Sequence, residues 1–285
     1  MNWKDYEKEI LDCFREQFPK AEISFDVKVI GRFSKVARQI DILIEDYVAG
    51  NRMRIIVDGK YFSKNIDVKN VEMFIGMLTD CEAHKGLLIT QKGFSKAAIN
   101  RAHYDTIDIE LDILNFKDLH EFQGLYAIPY SGNHGVDLPA PFGWIIDARK
   151  SPDMLATLYQ RGLTLYEATK NKEWMYVKIV SKNDIIKNLD DLLKFQYEEI
   201  IKDYPNAKFD FIPTIRRTDA NVKIRTIEID TYPTIEYTGF VDFTDFVFFC
   251  VMFTPEEQKK KNIRKLEGIM QQVTPFKIIQ KDKQN

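Results

Sequence analysis

The chain has 285 residues, a formal net charge of −2 and a hydrophobic content of 45%. It contains no run of eighteen apolar residues and starts with a charged segment, so the sequence predicts neither a membrane-spanning helix nor a secretory signal. Three widely spaced cysteines, at positions 13, 81 and 250, predict reduced thiols in a cytoplasmic protein rather than disulfides or a zinc site.

The first part of the chain predicts an α/β domain. Apolar residues recur at helical spacing in three segments and crowd or alternate in five others. Asn2 and Ser95 are expected to cap two of the helices. In chain order the predicted elements are a helix over 3–18, strands over 23–29, 39–46 and 53–62, a helix over 67–84, a strand over 86–90, a helix over 96–103 and a strand over 107–111. This order is typical of a mixed central sheet flanked by helices.

Glycine and proline crowd together between residues 124 and 143, which predicts a domain boundary. We therefore expect a domain at 1–125, a linker at 126–143 and an α+β accessory domain of unknown role at 144–285. The elements expected in the second domain are helices over 154–169, 183–204 and 255–271, a strand over 174–180, and several β-rich runs over 209–254. The aromatic run within 240–253 is interpreted as core rather than as a surface for stacking bases.

Four ionisable residues stand out in the first sixty positions: Glu7, Asp41, Asp58 and Lys60. Charges within apolar strands are costly unless they are paired or hold a metal. Asp41 and Asp58 would ligate a divalent cation, with the main-chain carbonyl of Gly59 as a third ligand. Lys60 shares a strand face with Asp58 and can point at the attacking water. The pattern predicts phosphodiester hydrolysis.

Each of these residues has a structural alternative. Asp58-Gly59 between apolar runs is also a strong hairpin-turn signal, although Gly50-Asn51 already supplies a turn nearby. Asp41 could belong to the polar face of an alternating strand, and Glu7 could be a solvated residue of a charged helix.

The pattern resembles the PD-(D/E)XK nuclease superfamily and, within it, the Mrr-like (type IV) restriction endonucleases. The resemblance covers about residues 3–104. It is carried by Trp3 to Glu7, by Gln39-Ile40-Asp41, by Asp58-Gly59-Lys60, by Asp67-Val68 and by the segment from Lys85 to Ala98. The chain departs from the pattern at Ile40, where no proline precedes the acid, and at Asp58, where many relatives carry Glu or Gln.

The resemblance implies a restriction-endonuclease-like fold and Mg²⁺-dependent cleavage of DNA in defence against foreign DNA, with Mn²⁺ as a substitute. Glu7 would support the metal site through a water or a second ion. Gln39 would help to position the water or the scissile phosphate.

A local basic surface is expected to contact DNA, because the net charge gives no general attraction to phosphates. The candidate contacts are Arg32, Lys35, Arg38, Lys64, Lys92 and Ser95. Cutting both strands calls for two active sites, so a homodimer is expected. The alternative function is a catalytically inert nucleic-acid-binding or assembly module on the same fold, with the second domain as a sensor.

Overall fold

The computed structural model describes residues 2–19, 21–48, 51–104, 109–121, 125–130, 133–149, 151, 153–214 and 216–278. The chain divides into two compact units, unit 1 (Met1–Gly124) and unit 2 (Leu125–Asn285). Among the described residues, no helix is both long and apolar enough to cross a membrane.

Unit 1 alternates helices and strands. Its elements are α1 (Trp3–Gln17), β1 (Glu22–Ile30), β2 (Ala37–Val48), β3 (Asn51–Lys60), α2 (Val68–Asp80), β4 (Lys85–Thr90), α3 (Lys96–His103), β5 (Glu110–Asn115) and a 3₁₀ helix (Phe116–Glu121). The strands form one sheet in the order β1-β2-β3-β4-β5, antiparallel up to β3 and parallel from β3 to β5. The predicted fold, a mixed sheet flanked by helices, is confirmed.

Local signals fix where the helices of unit 1 begin. Asn2 and Asp5 form a capping box on α1, and Asp67 forms another with Asn70 on α2. The hydroxyl of Ser95 accepts a hydrogen bond from the N–H of Ala98, which caps α3 as predicted. The last strand starts later than expected, and residues 107 and 108 lie outside the described part of the chain.

The central strand β4 of the unit 1 sheet is buried on both faces. Leu87, Leu88 and Ile89, three consecutive residues of β4, are all 0% exposed. Alternate side chains of a strand point to opposite faces, so both sides of β4 must be covered. Asp58 lies on the neighbouring strand β3, opposite Leu88, and its side chain is likewise buried.

Unit 2 contains most of the β-structure. Its elements are β6 (Leu125–Pro129), β7 (His134–Pro139), β8 (Trp144–Asp147), β9 (Ala156–Gln160), α4 (Leu165–Lys170), β10 (Trp174–Ser181), α5 (Leu189–Asp203), β11 (Lys208–Ile212), β12 (Asn221–Glu228), β13 (Glu236–Asp242), β14 (Phe246–Phe253), a 3₁₀ turn (Glu256–Gln258), α6 (Lys259–Gln272) and β15 (Thr274–Lys277). A seven-stranded sheet has the order β11-β12-β13-β14-β10-β9-β8, and β15, β7 and β6 form a smaller one.

The aromatic run of β14 is core. Phe246 and Phe248 pack in one buried cluster with residues of α6, whereas Val247 and Phe249 pack in another with Leu189 of α5. Because one helix covers each face of the strand, the run is apolar at every position rather than at alternate ones.

Three expectations for unit 2 are corrected. The segment expected to be a helix over 154–169 holds strand β9 and the short helix α4, because Gly162 turns the chain with a φ of +84° and Thr164 caps a new helix. The expected linker contains strands β6 and β7. Helix α5 begins at Leu189 rather than at 183, because the side chain of Asn188 caps it.

Candidate active site

The structure brings Asp41, Asp58 and Lys60 together. Strands β2 and β3 are antiparallel neighbours, and their ladder ends where Ile42 lies opposite Val57. Just beyond, the N–H of Gly59 donates a hydrogen bond to Oδ2 of Asp41 at 2.9 Å. Nζ of Lys60 lies 2.7 Å from Oδ2 of Asp58. The alternative hairpin at Asp58-Gly59 is excluded, because β3 continues through both residues.

The charge of Asp58 disfavours the charged form of Asp41. Burial, the negative charge of Asp58 and a hydrogen bond with Asp58 raise the pKa of Asp41 to about 7, against the opposing effects of the Gly59 N–H and Lys60. Asp58 is only 6% exposed. Near neutral pH, a proton or a cation between these groups is therefore stabilised.

Glycine at position 59 allows α1 to approach the strand closely. A Cβ atom there would lie 3.1 Å from Cε1 of Tyr6 and 3.2 Å from Cδ1 of Ile10. This close packing of α1 brings the half-buried Glu7 towards the site. The pKa of Glu7 is raised by burial and by the charges of Asp41 and Asp26, and it is lowered by Lys60. Glu7 is therefore electrostatically coupled to the same acids and amine.

Tyr6 is a site residue that the sequence analysis missed. Its side chain is 0% exposed, and its hydroxyl has no hydrogen-bond partner among the described residues. Burial, followed by the charges of Asp58, Asp41 and Glu7, raises the pKa of the hydroxyl well above its ordinary 10.0, so the group stays protonated. No sequence signal distinguishes it from an ordinary core aromatic on the apolar face of α1.

Gln39 is tied to a second residue that the sequence analysis missed. Its side-chain amide donates a hydrogen bond to Oδ1 of Asp26. Asp26 has a φ of +52° in the middle of β1, between Phe25, which pairs with Ile42, and Val27. A left-handed backbone at a non-glycine residue inside a strand is strained, and such strain clusters at functional sites.

Two predicted DNA contacts are engaged in ion pairs elsewhere in unit 1. Arg32 lies 2.6 Å from Glu82, and Arg38 lies 2.7 Å from Asp80. Asp80 also accepts hydrogen bonds from the hydroxyl and the N–H of Ser34 and from the N–H of Phe33. The bond from the Ser34 hydroxyl is the largest cause of a pKa well below the ordinary range, followed by those from the Ser34 N–H and Arg38. Through these ion pairs, both arginines hold the loop 31–36 against the end of α2.

Other predicted contacts lie beyond the carboxyl ends of β3 and β4. The N–H of Ile66 donates to the carbonyl of Gly93 at 2.9 Å, so the segments that carry Lys64 and Lys92 run side by side. Both lysines are exposed. Lys35 is exposed in the loop 31–36, with a φ of +57°. The hydroxyl of Ser95 is already used as a helix cap.

The donor atoms at the site suit a hard divalent cation. Across the part of the chain that the structure describes, no three His, Cys, Asp or Glu side chains form a metal-binding group. Asp41 and Asp58 supply carboxylate oxygens. The N–H and the C=O of one strand residue point to the same neighbouring strand, so the Gly59 carbonyl points towards Asp41, as its N–H does. Two carboxylates and a carbonyl fit Mg²⁺, which keeps several waters and needs few protein ligands. These residues could hold such an ion.

Comparison with known proteins places unit 1 in a family. Residues 1–123 match the family model Mrr_cat, described as "Restriction endonuclease". No curated protein sequence matches the chain significantly.

Three solved structures show distant likeness. The DNA modification-dependent restriction endonuclease AspBHI has 10% identity and a TM-score of 0.27, with 42% of this chain and 35% of that chain covered. The protein of unknown function AF1548 has 19% identity and a TM-score of 0.33, with coverages of 43% and 68%. The cyanobacterial PsbP from Synechocystis sp. PCC 6803 has 14% identity and a TM-score of 0.37, with coverages of 54% and 93%.

Because all three TM-scores lie below 0.5, these likenesses define neither the fold nor the activity of this chain. The family match stands on the segment that carries Glu7, Asp41, Asp58 and Lys60. Residues 1–123 therefore match the restriction endonuclease domain that the sequence analysis expected in this part of the chain.

Proposed function

We propose that the chain is a Mg²⁺-dependent endodeoxyribonuclease that hydrolyses phosphodiester bonds in DNA. The convergence of Asp41, Asp58 and Lys60 at the end of the β2–β3 ladder carries the proposal. Two neighbouring carboxyl groups, of which Asp58 raises the pKa of Asp41, have little structural value, since they destabilise the folded chain. They are useful where a cation must be held.

In this proposal each residue has a distinct task. Asp41, Asp58 and the Gly59 carbonyl would hold the divalent ion, with Mn²⁺ as a substitute for Mg²⁺. The ion supplies Lewis-acid stabilisation of the charge that develops on the phosphate. Lys60 donates a hydrogen bond to the attacking water and stabilises the hydroxide formed from it. Glu7 accepts a hydrogen bond from a water at the edge of the site.

The assay is cleavage of supercoiled plasmid, methylated and unmethylated, by the full chain in Mg²⁺ and in EDTA. Asp58→Asn and Lys60→Met should each abolish cleavage while the protein stays folded. Asp46→Asn, on an exposed position of β2, and Lys69→Met, on the exposed side of α2, are the matched controls and should cleave normally. Full activity in the Asp58 and Lys60 variants would refute the assignment.

The alternative is an inert nucleic-acid-binding or assembly module on this fold. The net charge of −2 and the ion pairs of Arg32 and Arg38 favour it, because they leave fewer cations to neutralise DNA during turnover. Calorimetric titration separates the two functions. The nuclease binds Mg²⁺ or Mn²⁺ at the site, and Asp58→Asn removes that binding, whereas the inert module shows no such heat.

The biological setting belongs to the same proposal. We propose a role in restriction or anti-phage defence, with unit 2 as an accessory or sensor domain that gates cleavage. Cys13, Cys81 and Cys250, all described, form no disulfide, which is consistent with a cytoplasmic protein. A homodimer would supply the two sites needed for a double-strand break, and light scattering of the full chain tests it.

A further inference from the structure

Unit 1 contains a cleft of about 750 Å³ that ends at the proposed metal site. One wall is α1 and the other is formed by β1 and β2. The lining residues include Trp3, Lys4, Glu7, Lys8, Phe25 and Asp41. Resting on the proposed nuclease function, we propose that this cleft binds an unpaired nucleotide next to the scissile phosphate, with its base against Trp3 and Phe25.

The helical wall of the cleft carries a row of cations. Lys4, Lys8 and Arg15 all line the cleft, and their spacing of four and seven residues places them on one face of α1. Both lysines are exposed, so their ammonium groups are accessible to a phosphate. On the opposite wall, Asp26 and Asp41 hold negative charge. A nucleotide whose phosphates face α1 matches this division of charge, because the phosphates then lie beside the cations and away from the two acids.

Two large aromatic side chains line the same cleft without being buried. Trp3 is 52% exposed and Phe25 is 40% exposed. Aromatic residues of this size are usually buried for most of their surface. Flat exposed rings beside cations are the arrangement with which proteins stack unpaired bases, whatever the base sequence.

Gln39 gives the cleft a group that can read a base edge. A glutamine amide has two N–H donors and one carbonyl acceptor, and Gln39 donates to Asp26. Within the described residues, a second N–H and the carbonyl of this amide remain for a ligand. The left-handed backbone of Asp26 fixes the carboxylate that orients this amide. The strained backbone of β1 thus serves to orient Gln39, next to the acids that hold the ion.

The size of the cleft selects an unpaired nucleotide over a double helix. Its volume lies within the range of small-molecule sites, so a nucleotide can enter and a duplex cannot. The nucleotide could come from a single strand or from a duplex position at which the base is extruded. Extrusion is cheapest at mismatched or damaged positions.

The test is fluorescence anisotropy of the full chain in EDTA, where no cleavage occurs. The probes are a labelled twelve-residue oligothymidylate, a perfect duplex and a duplex with one mismatch. The oligothymidylate should bind at least 10-fold more tightly than the perfect duplex. Tight binding of the mismatched duplex as well would identify extrusion, and tight binding of the oligothymidylate alone would identify single strands.

Variants locate the binding. Trp3→Ala and Phe25→Ala should each weaken oligothymidylate binding by about 5- to 150-fold, the equivalent of one lost stacking contact. Trp3→Phe keeps a ring and should stay within about 3-fold of the wild type, since its stacking face is retained. Tyr104→Ala, the matched control, removes an aromatic that is 55% exposed after α3 and should change nothing. Unchanged affinity in the Trp3 and Phe25 alanine variants, or an equal loss in the Tyr104 variant, would overturn the proposal.

The binding result and the cleavage result are separable. Oligothymidylate binding that depends on Trp3 and Phe25, without Mg²⁺-dependent cleavage by the wild type, would refute the nuclease function and support nucleotide binding in the cleft. Mg²⁺-dependent cleavage by the wild type, with undiminished oligothymidylate affinity in both alanine variants, would support the nuclease function and refute nucleotide binding in the cleft.

Discussion

Replacing Asp41 with asparagine should stabilise the metal-free protein at pH 8. The substitution removes the charge that burial and Asp58 disfavour, and the amide oxygen of Asn can still accept the hydrogen bond from Gly59. The folded chain binds the Asp41 proton more tightly than the unfolded chain. The contribution of this carboxyl to stability is therefore present below about pH 4 and is lost as the pH rises through about 7.

The size of the effect follows from the pKa. A rise from 3.8 to about 7 corresponds to about 4 kcal/mol of lost stability at pH 8. The buried amide of Asn costs about 2 kcal/mol in its place, which leaves a net gain of about 2 kcal/mol. For a unit of this size the gain raises Tm by about 8 °C. At pH 5 only about a third of this stability has been lost, which the cost of the amide offsets, so the gain should vanish.

Calorimetry of the full chain at pH 5 and pH 8, with EDTA and with Mg²⁺, measures this effect. The wild type should gain stability from Mg²⁺ at pH 8, because the ion binds only the folded site, and the Asp41→Asn variant should not. Asp46→Asn, the same change at an exposed position of β2, should stay within about 0.5 kcal/mol of the wild type. An Asp41→Asn variant that is less stable than the wild type at pH 8 in EDTA would refute the electrostatic reasoning.

Three further predictions follow from the same site. Tyr6→Phe removes a buried hydroxyl that has no partner within the described part of the chain, and it should raise the free energy of unfolding by about 1 kcal/mol, measured by urea unfolding. A loss of stability would instead show that the hydroxyl has a partner. Gly59→Ala places a Cβ 3.1 Å from Tyr6 and should lower the same quantity by about 1–3 kcal/mol, whereas no loss would mean that α1 shifts freely. The apparent affinity for Mg²⁺, measured by titration calorimetry, should fall as the pH drops below about 7, because protons compete for Asp41; an affinity that does not change between pH 8 and pH 5 would contradict this.

The sequence was sufficient to predict the elements of unit 1 because the signals there are local. Apolar spacing and the caps at Asn2 and Ser95 place the helices. The apolar runs around Asp41 and Asp58 mark two neighbouring strands, whose pairing brings the acids together.

Features that depend on packing could not be predicted in the same way. The approach of α1 to Gly59 creates the cleft and buries the Tyr6 hydroxyl. The spacing of apolar residues along the sequence does not predict such long-range contacts. The left-handed backbone of Asp26 has no sequence signal either. In unit 2, four successive residues of β9 are buried, so the strand is covered on both faces and its sequence lacks the alternation that would distinguish it from part of a helix.

The position of a bound Mn²⁺ ion tests the central claim most directly. Crystals of the full chain soaked in Mn²⁺, with Asp58→Asn crystals as the control, would locate the ion by its anomalous scattering. The account predicts a single strong peak within about 2.0–2.3 Å of carboxylate oxygens of both Asp41 and Asp58, and its loss in the control. A Mn²⁺ ion bound elsewhere, with these two carboxylates unligated, would contradict it.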